Sequence, residues 1–423
     1  MTGTTIGFAG MTHLGLNSAV AAADKDFDVV CYDPDPLLVA ALFRGELPVV
    51  EPDLPELIQK NAHRIKFTAD SNDLTTCDLV YVAPDVPTDD TGRSDLERID
   101  ALIRQVGSVL LPQTVMVILS QVPPGFTRTR MRPERLLFYQ VETLIFGRAM
   151  ERARFPERFI VGCADPSQPL PPILEKFLGS FGCPILPMRY ESAELAKISI
   201  NMCLVASVST ANTLAELCEK IGADWSEIVP ALKLDKRIGP FAYLAPGLGI
   251  AGGNLERDLA TVCNFADRFG TDSGIIKAWI ANSRYRRDWS LRTIYLEILS
   301  KVEDPVIAVL GLAYKQDTHS IKNSPAIALL EHLKPFRVRV FDPVVAGIVV
   351  NNSNCYVAIS ELDTCCGADA LVVMTPWSQF GKIDPFDIAK KLRGKVVLDP
   401  YAVLDAAACR NAGLRYFTLG AQT

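Results

Sequence analysis

Residues 191–222, ESAELAKISINMCLVASVSTANTLAELCEKIG, constrain the fold of this chain more than any other stretch. Leu195, Ile198, Met202, Val205, Leu214, Leu217 and Ile221 recur at helical spacing, and Ile200, Cys203, Leu204 and Ala211 fill much of the remaining circumference. A helix apolar nearly all round is expected to be buried. Ser192 is placed to cap its first turn, Glu194 is favoured there by the helix dipole, and Gly222 suits the position just past its end. At 1.5 Å per residue such a helix is a rod of about 45 Å, longer than a small domain is wide, so it should bridge domains, subunits or both. Lys197 and Asn201 interrupt its wall one turn apart, and therefore on one face. A lysine in that setting either snorkels from the helix end or is held there for chemistry.

The N-terminal part reads as alternating strands and helices. TIGFAG is a buried strand, followed by a tight turn, the helix LGLNSAVAAADK and a second strand DVVCYD ending at Asp33. A strand, a glycine turn, a helix and an acid about 20 residues on form the dinucleotide-binding arrangement. The pyrophosphate sits on the helix N-terminus and the acid takes the ribose hydroxyls. Asp33 favours NAD, because a 2′-phosphate beside a carboxylate is repelled. In Gly10-Met11-Thr12-His13-Leu14-Gly15, Thr12 stands where the second glycine is expected, so it shifts the cofactor slightly or offers it a hydroxyl. His13 is expected to be an exposed loop residue, contact with a phosphate being the other possibility. The segments RIKFTAD, DLVYVAP, TVMVILSQ, RLLFYQVE and RFIVGCAD continue the strand rhythm, which implies a mostly parallel sheet covered on both faces. Ligands on such sheets lie at strand carboxyl ends, here marked by Pro84, Gln121 and Glu142.

Beyond the long helix, Asp224 with Glu227 opens a shorter helix in a capping-box pattern. The glycine-rich segment RIGPFAYLAPGLGIAGGNLERD, residues 237–258, follows, with a helix LATVCNFADRF after it. So many glycines expose backbone N–H groups and suit a loop laid against a polar or anionic ligand. From about residue 304 the strand pattern returns (DPVIAVLGLAYK, VRVFDP, ALVVMT, VVLDP, LRYFTLG), with Lys315 at the first strand end a candidate phosphate contact. That first strand lacks a glycine fingerprint, so the domain is expected to bind something other than a dinucleotide. The expected fold is α/β: two doubly wound Rossmann-like domains, 1–190 and 303–423, joined by the long helix and a small helical domain, 191–302.

The 423 residues are too many for one core, and the net charge of -6 argues against nucleic acid as a partner. No apolar run approaches the ~18 residues of a membrane span, and the first strand is expected to start too early for a signal peptide. Eleven cysteines, with no CxxC spacing, suit reduced thiols in a cytoplasm better than a disulfide framework or a zinc site.

Across essentially its whole length the chain resembles the nucleotide-sugar dehydrogenases, the family of UDP-glucose and GDP-mannose dehydrogenases. The resemblance is carried by Glu51-Pro52-Asp53-Leu54, Ser120-Gln121-Val122-Pro123, Val141-Glu142 through Arg158, and Glu194-Leu195-Ala196-Lys197 with Asn201. Further along it rests on Arg237-Ile238-Gly239, the Pro246–Asp258 loop, Lys315 with Ser324-Pro325, Asp342-Pro343 and Thr375-Pro376-Trp377. It implies an NAD domain, a helical dimer core and a C-terminal sugar-nucleotide domain, and oxidation of a primary alcohol to a carboxylate in two hydride transfers. The family's PGxGFGGxCFPKD loop supplies a cysteine that captures the intermediate aldehyde.

Aligned without a gap, this chain has Asn254 at that cysteine, and an amide cannot take the covalent role. Gln121, Phe146, Glu256, Arg257, Ser320, Lys322, Tyr401 and Ala402 also depart from the family pattern. Lys197, Asn201, Asp258, Glu142 and Arg237 remain at family positions. By the resemblance, Lys197 accepts the alcohol proton, Asn201 bonds the developing oxyanion and Asp258 holds Lys197 or a water. Arg237, Tyr243, Gly249 and Lys315 face the substrate, while Gly10, Thr12, Gly15, Asp33, Pro84 and Gln121 hold NAD. Arg237 reaches a neighbouring subunit's substrate in the family, which implies a homodimer. The expected activity is one alcohol-to-carbonyl step on a UDP-type sugar nucleotide, or a reversible redox step. The alternatives are uronate formation through a hydrated aldehyde, using Glu142 and water, and a non-catalytic binding homologue.

Overall fold

The computed structural model describes residues 3–87, 94–350 and 352–422. The chain forms two compact units, 1–200 and 201–423, and the boundary falls within the long helix.

The first unit is built on eight strands: β1 Thr5–Ala9, β2 Asp28–Tyr32, β3 Ile65–Thr68, β4 Leu79–Val82, β5 Val115–Ile118, β6 Leu137–Gln140, β7 Phe159–Cys163 and β8 Ile185–Arg189. Their order is β3-β2-β1-β4-β5-β6-β7-β8, parallel throughout except where β6 meets β7. The strands read as continuous apolar runs because both faces are covered. Ile6 and Phe8 pack into one core with Val29, Cys31 and Tyr81, whereas Ala9 joins Val30, Tyr32, Val80 and Val82 in the other. β8 escapes sequence detection because Pro187 lies in its middle and its side chains are only partly covered. Strand order reverses between β1 and β4, which opens a crevice at their carboxyl ends.

The second unit carries a parallel sheet of six strands: β9 Val306–Leu310, β10 Arg337–Phe341, β11 Cys355–Val357, β12 Ala370–Val373, β13 Val396–Leu398 and β14 Arg415–Phe417. Its order, β11-β10-β9-β12-β13-β14, reverses between β9 and β12. The three-residue β11 has no pattern long enough to read from sequence. Both units are thus doubly wound α/β folds, as the sequence implies.

The long helix spans Tyr190–Ile221 and follows β8 directly. Ser192 therefore lies inside its first turn rather than capping it. Gly222 does take the left-handed conformation expected past the end, φ +77°. The helix is not buried all round. Ile198, Val205, Ala211, Ala215 and Cys218 are covered, but Leu195, Leu214, Leu217 and Ile221 are exposed in the single chain. An 18-residue window of this helix reaches mean hydropathy 1.3, long and apolar enough to cross a membrane by length and composition alone. The alanines between the larger residues raise that average, while serines, Lys197 and Asn201 keep the apolar run broken. All eleven cysteines are free thiols.

Gly15 shows how tightly the first helix, His13–Asp24, sits on β1. A Cβ at Gly15 would lie 1.9 Å from the carbonyl oxygen of Gly10. Overpacking a core side chain costs about 1–3 kcal/mol, and a backbone obstacle yields less than a side chain does. Gly15→Ala should therefore lower the urea midpoint by at least that much and weaken NAD binding. An unchanged midpoint would show that the helix can slide.

Candidate active site

In the first unit, the candidate residues gather at the turn after β1. Gly10 has φ +96°, and its amide donates to the Tyr32 carbonyl. A Cβ there would meet the Pro84 nitrogen at 2.8 Å, so glycine is needed for the β1 and β4 ends to approach. Asp33 is fully buried, and its carboxylate accepts the Met11 amide at 2.7 Å and the Asp35 amide at 3.0 Å. Each oxygen keeps a lone pair for a ribose hydroxyl. The helix His13–Asp24 has no acid in its first turn and no side-chain cap, which leaves its positive end for a pyrophosphate. These residues fit NAD.

Thr12 does not offer its hydroxyl outward. That oxygen accepts the Asp85 amide at 2.8 Å and ties the turn to the segment after β4. His13, expected to be exposed, is buried: its Nε2 lies 2.7 Å from Glu51 Oε1 and its ring stacks on Phe146 at 4.0 Å. Glu51 also accepts the amides of Gly147 and Ala149, so one carboxylate gathers three segments far apart in sequence. Pro84, Gln121 and Glu142 follow β4, β5 and β6, and Ser120 Oγ donates to the Pro84 carbonyl at 2.5 Å. Glu194 serves the fold rather than the helix dipole alone. It is fully buried and accepts the Gly125 and Thr127 amides, yet burial still pushes its carboxyl above the usual range.

In the second unit, a polar cluster is built on the long helix and the helix Asn254–Phe269. Asn201 Nδ2 donates to Asp258 Oδ2 at 2.5 Å, and Arg257 Nε lies 3.2 Å from Asp258 Oδ1. All three residues are buried. A carboxylate neighbour fixes the amide orientation, because only the NH2 end can donate to it. Asn201 thus turns its carbonyl and second N–H away from Asp258. Lys197 is partly buried one turn earlier on the same helix.

Asn254 is exposed and is the first residue of its helix, one turn before Asp258. The sequence places that start at Leu259, because Gly252 and Gly253 hide it. The loop before it is pinned rather than laid open. The Gly247 amide donates to Asn212 Oδ1, the Ile250 amide to Ser283 Oγ and the Gly252 amide to the Lys322 carbonyl. Gly249 has φ +78°, and a Cβ there would lie 2.4 Å from the Ser283 carbonyl oxygen. Its glycines are needed for packing as well as for any ligand.

Arg237 is exposed, bonded to Asp235 by its amide and guanidinium, and Tyr243 is half exposed. Lys315 follows β9 and is partly buried beside Tyr314. The structure therefore joins Gly10, Gly15, Asp33 and Pro84 in one cluster and Asn201 with Asp258 in another. Arg237 stands apart from the second cluster on the surface. Sequence reasoning missed the Glu51 and Arg257 contacts; the EPDL segment was the one signal for Glu51.

A glycine turn with its buried acid, together with a buried amide–carboxylate pair, defines by class an NAD-dependent dehydrogenase. Models of the UDP-glucose/GDP-mannose dehydrogenase family match the chain in three parts. The NAD binding domain falls on residues 4–170, the central domain on 191–284 and the UDP binding domain on 308–406. The UDP-glucose 6-dehydrogenase of Rickettsia typhi is 28% identical over 99% of both chains. A UDP-glucose dehydrogenase structure from Pyrobaculum islandicum superposes with TM-score 0.85 at 26% identity, covering 99% of this chain and 98% of that one. The UDP-D-ManNAc dehydrogenase of Pyrococcus horikoshii shares the fold, with TM-score 0.84 at 23% identity over 99% of both chains. The chain belongs to the UDP-glucose/GDP-mannose dehydrogenase family and is an NAD-dependent oxidoreductase of the CH–OH group.

Glu256, two residues past Asn254, accepts from Asn323 Nδ2. Burial pushes its carboxyl above the usual carboxylate range, against the pull of Lys322, Arg287 and Arg284. A raised folded pKa means that the native state binds this proton more tightly than the unfolded chain. The associated stability is present at acid pH and is lost as pH rises through the folded pKa. Glu256→Gln should therefore raise the thermal midpoint at pH 7, and the gain should vanish as the pH falls below the usual carboxylate range. A lowered midpoint at pH 7 would show that the surrounding cations outweigh desolvation.

Proposed function

We propose that the protein oxidises one alcohol of a UDP-linked sugar to a carbonyl, with a single hydride passed to NAD, and that it lacks the thioester route to an acid. The observation that carries this reading is Asn254. It occupies the first residue of a helix, one turn from the Asn201–Asp258 pair, and the resemblance of the glycine loop to the family's puts it at the cysteine position. A thiolate there would be favoured by the helix dipole, whereas an amide forms no covalent adduct with an aldehyde under these conditions.

No other sulfur is suitably placed on the elements that carry this pair. Cys263 is nine residues further along the same helix, about 13 Å along its axis. Cys203, two residues past Asn201, projects from the opposite side of the long helix.

NAD, when bound, accepts the hydride. Lys197, as the neutral amine or through a water, takes the hydroxyl proton, and Asn201, its orientation fixed by Asp258, hydrogen-bonds the oxygen as the carbonyl forms. Asp258, held by Arg257, keeps the amide from rotating. The sugar nucleotide's phosphates lie at the β9/β12 reversal near Lys315, as the ligand position of a doubly wound sheet favours.

The protein works as a homodimer in this reading. Leu214, Leu217 and Ile221 leave an apolar stripe at 3–4 spacing, and Phe241, near the exposed Arg237, is 91% exposed. A single-chain mass in sedimentation would contradict it.

Product analysis with UDP-sugars tests the activity. One NADH should form per sugar consumed, and a hydrazine reagent should trap the carbonyl product in full. Two NADH per sugar with a uronic acid, or poor trapping, would point to a second oxidation through a hydrated aldehyde.

A further inference from the structure

The turn that receives the cofactor is held from three directions, and the third has no part in the reaction proposed above. Asp33 holds it from β2 through the Met11 amide, and Thr12 Oγ1 holds it from the segment after β4 through the Asp85 amide. The third hold is His13, the first residue of the helix His13–Asp24. Its ring is buried, with Nε2 2.7 Å from Glu51 Oε1. Neither the hydride nor the proton transfer calls on it.

Glu51 is itself a junction. Its carboxylate accepts the Gly147 amide on both oxygens, at 2.9 and 3.0 Å, and the Ala149 amide at 3.2 Å. Because both oxygens already accept backbone N–H groups, Glu51 is the acceptor in the His13 contact and Nε2 carries the hydrogen. Ala149 opens the helix Ala149–Arg154, whose Met150 enters the same core as Leu14 and Ala21 of the cofactor helix. The two helices are tied again further along, where Arg154 Nε donates to Asp24 Oδ2 at 2.8 Å. The His13–Glu51 contact is therefore the tie at the end that borders the cofactor.

Phe146 gives the junction its second component. It stacks on the His13 ring with centroids 4.0 Å apart and planes 22° apart, yet it is 41% exposed. Its neighbours have little cover either: Ile145 is exposed, and Glu142, Thr143 and Leu144 are only partly buried. A segment with so few buried apolar contacts opens at low cost unless its ends are held. Here the last residues are held by Glu51 and by the His13 ring. Phe146 departs from the family pattern, so the stack is a feature of this chain rather than of the family.

We propose that His13 is a positioning residue that links NAD binding to the order of residues 142–149. NAD fixes the turn 10–13, and the His13–Glu51 hydrogen bond passes that order to the segment that carries Glu142 and Phe146. By the same linkage, an ordered segment tightens NAD. The test uses NADH as the probe, with fluorescence titration and amide hydrogen exchange of the full chain. In the wild type, NADH should slow exchange at Gly147 and Ala149. His13→Phe keeps a ring on Phe146 but loses the N–H; it should weaken NADH roughly fivefold or more, the scale of one buried hydrogen bond, and lose the protection at 147 and 149. His13→Gln restores an N–H at similar reach and should bind NADH within about twofold of the wild type, with the protection kept.

Thermal melts of both variants read their folding directly. Should His13→Phe fail to fold, the wild-type exchange measurement still decides, because unchanged exchange at Gly147 and Ala149 on NADH binding would overturn the proposal by itself. Equal loss of NADH affinity in both variants would also overturn it, since the packing of the ring, and not its hydrogen bond, would then be what NAD needs. Wild-type affinity in His13→Phe would do the same. NADH binding is read without turnover, so this test fails or succeeds separately from the reaction proposed above.

Discussion

A buried aspartate at the end of the second strand, accepting backbone amides from the turn after the first, is the contact on which both sheets depend. In the first sheet Asp33 receives the Met11 amide beside Gly10. In the second, Asp342 receives Leu312 and Ala313 beside Gly311, and also Val344, Val345 and the Trp377 indole. Both glycines sit at positive φ, +96° and +91°, and both are crowded by the strand across the reversal. A turn with its amides left unpaired in these buried surroundings would cost about 1–3 kcal/mol for each orphaned group. The carboxylate removes that cost and fixes the strand ends that frame each crevice. The same device thus shapes a dinucleotide site in one unit and a sugar-nucleotide site in the other.

The second polar core, Asn201–Asp258–Arg257, applies related physics inside the second unit. Three buried polar side chains are tolerable together because each satisfies another, and the arrangement leaves the asparagine a single orientation. Asn254 lies one turn from this core, at a helix N-terminus that would favour an anion. In the proposed reading this core serves the transfer of one proton and one hydride, and an amide at position 254 cannot hold an aldehyde covalently.

Much of this was legible from residue order alone, where local pattern decides the outcome. Apolar runs gave the strands, and Gly10, Gly15 and Asp33 marked the first crevice. Lys197 and Asn201 stood out against the apolar helix. The failures share one cause, partners distant in sequence. His13 looked like a loop residue because Glu51 and Phe146, which bury it, lie 38 and 133 positions away. The helix carrying Asn254 was begun too late because Gly252 and Gly253 read as loop, although their room is set by Tyr314 and Lys322. The long helix looked buried all round because apolar periodicity does not say whether the partner is the same chain. Leu195, Leu214 and Leu217 are exposed in the single chain.

The central claim is that the side chain at position 254 sets the number of hydrides removed from each sugar. Asn254→Cys tests it most directly, with NADH counted per sugar consumed and the intact mass of the protein recorded during turnover. The account predicts that the count rises from one towards two, that a uronic acid forms, and that a sugar adduct appears on the new thiol. A wild-type protein that already yields two NADH, or a variant that forms no adduct and still stops at one, would contradict it.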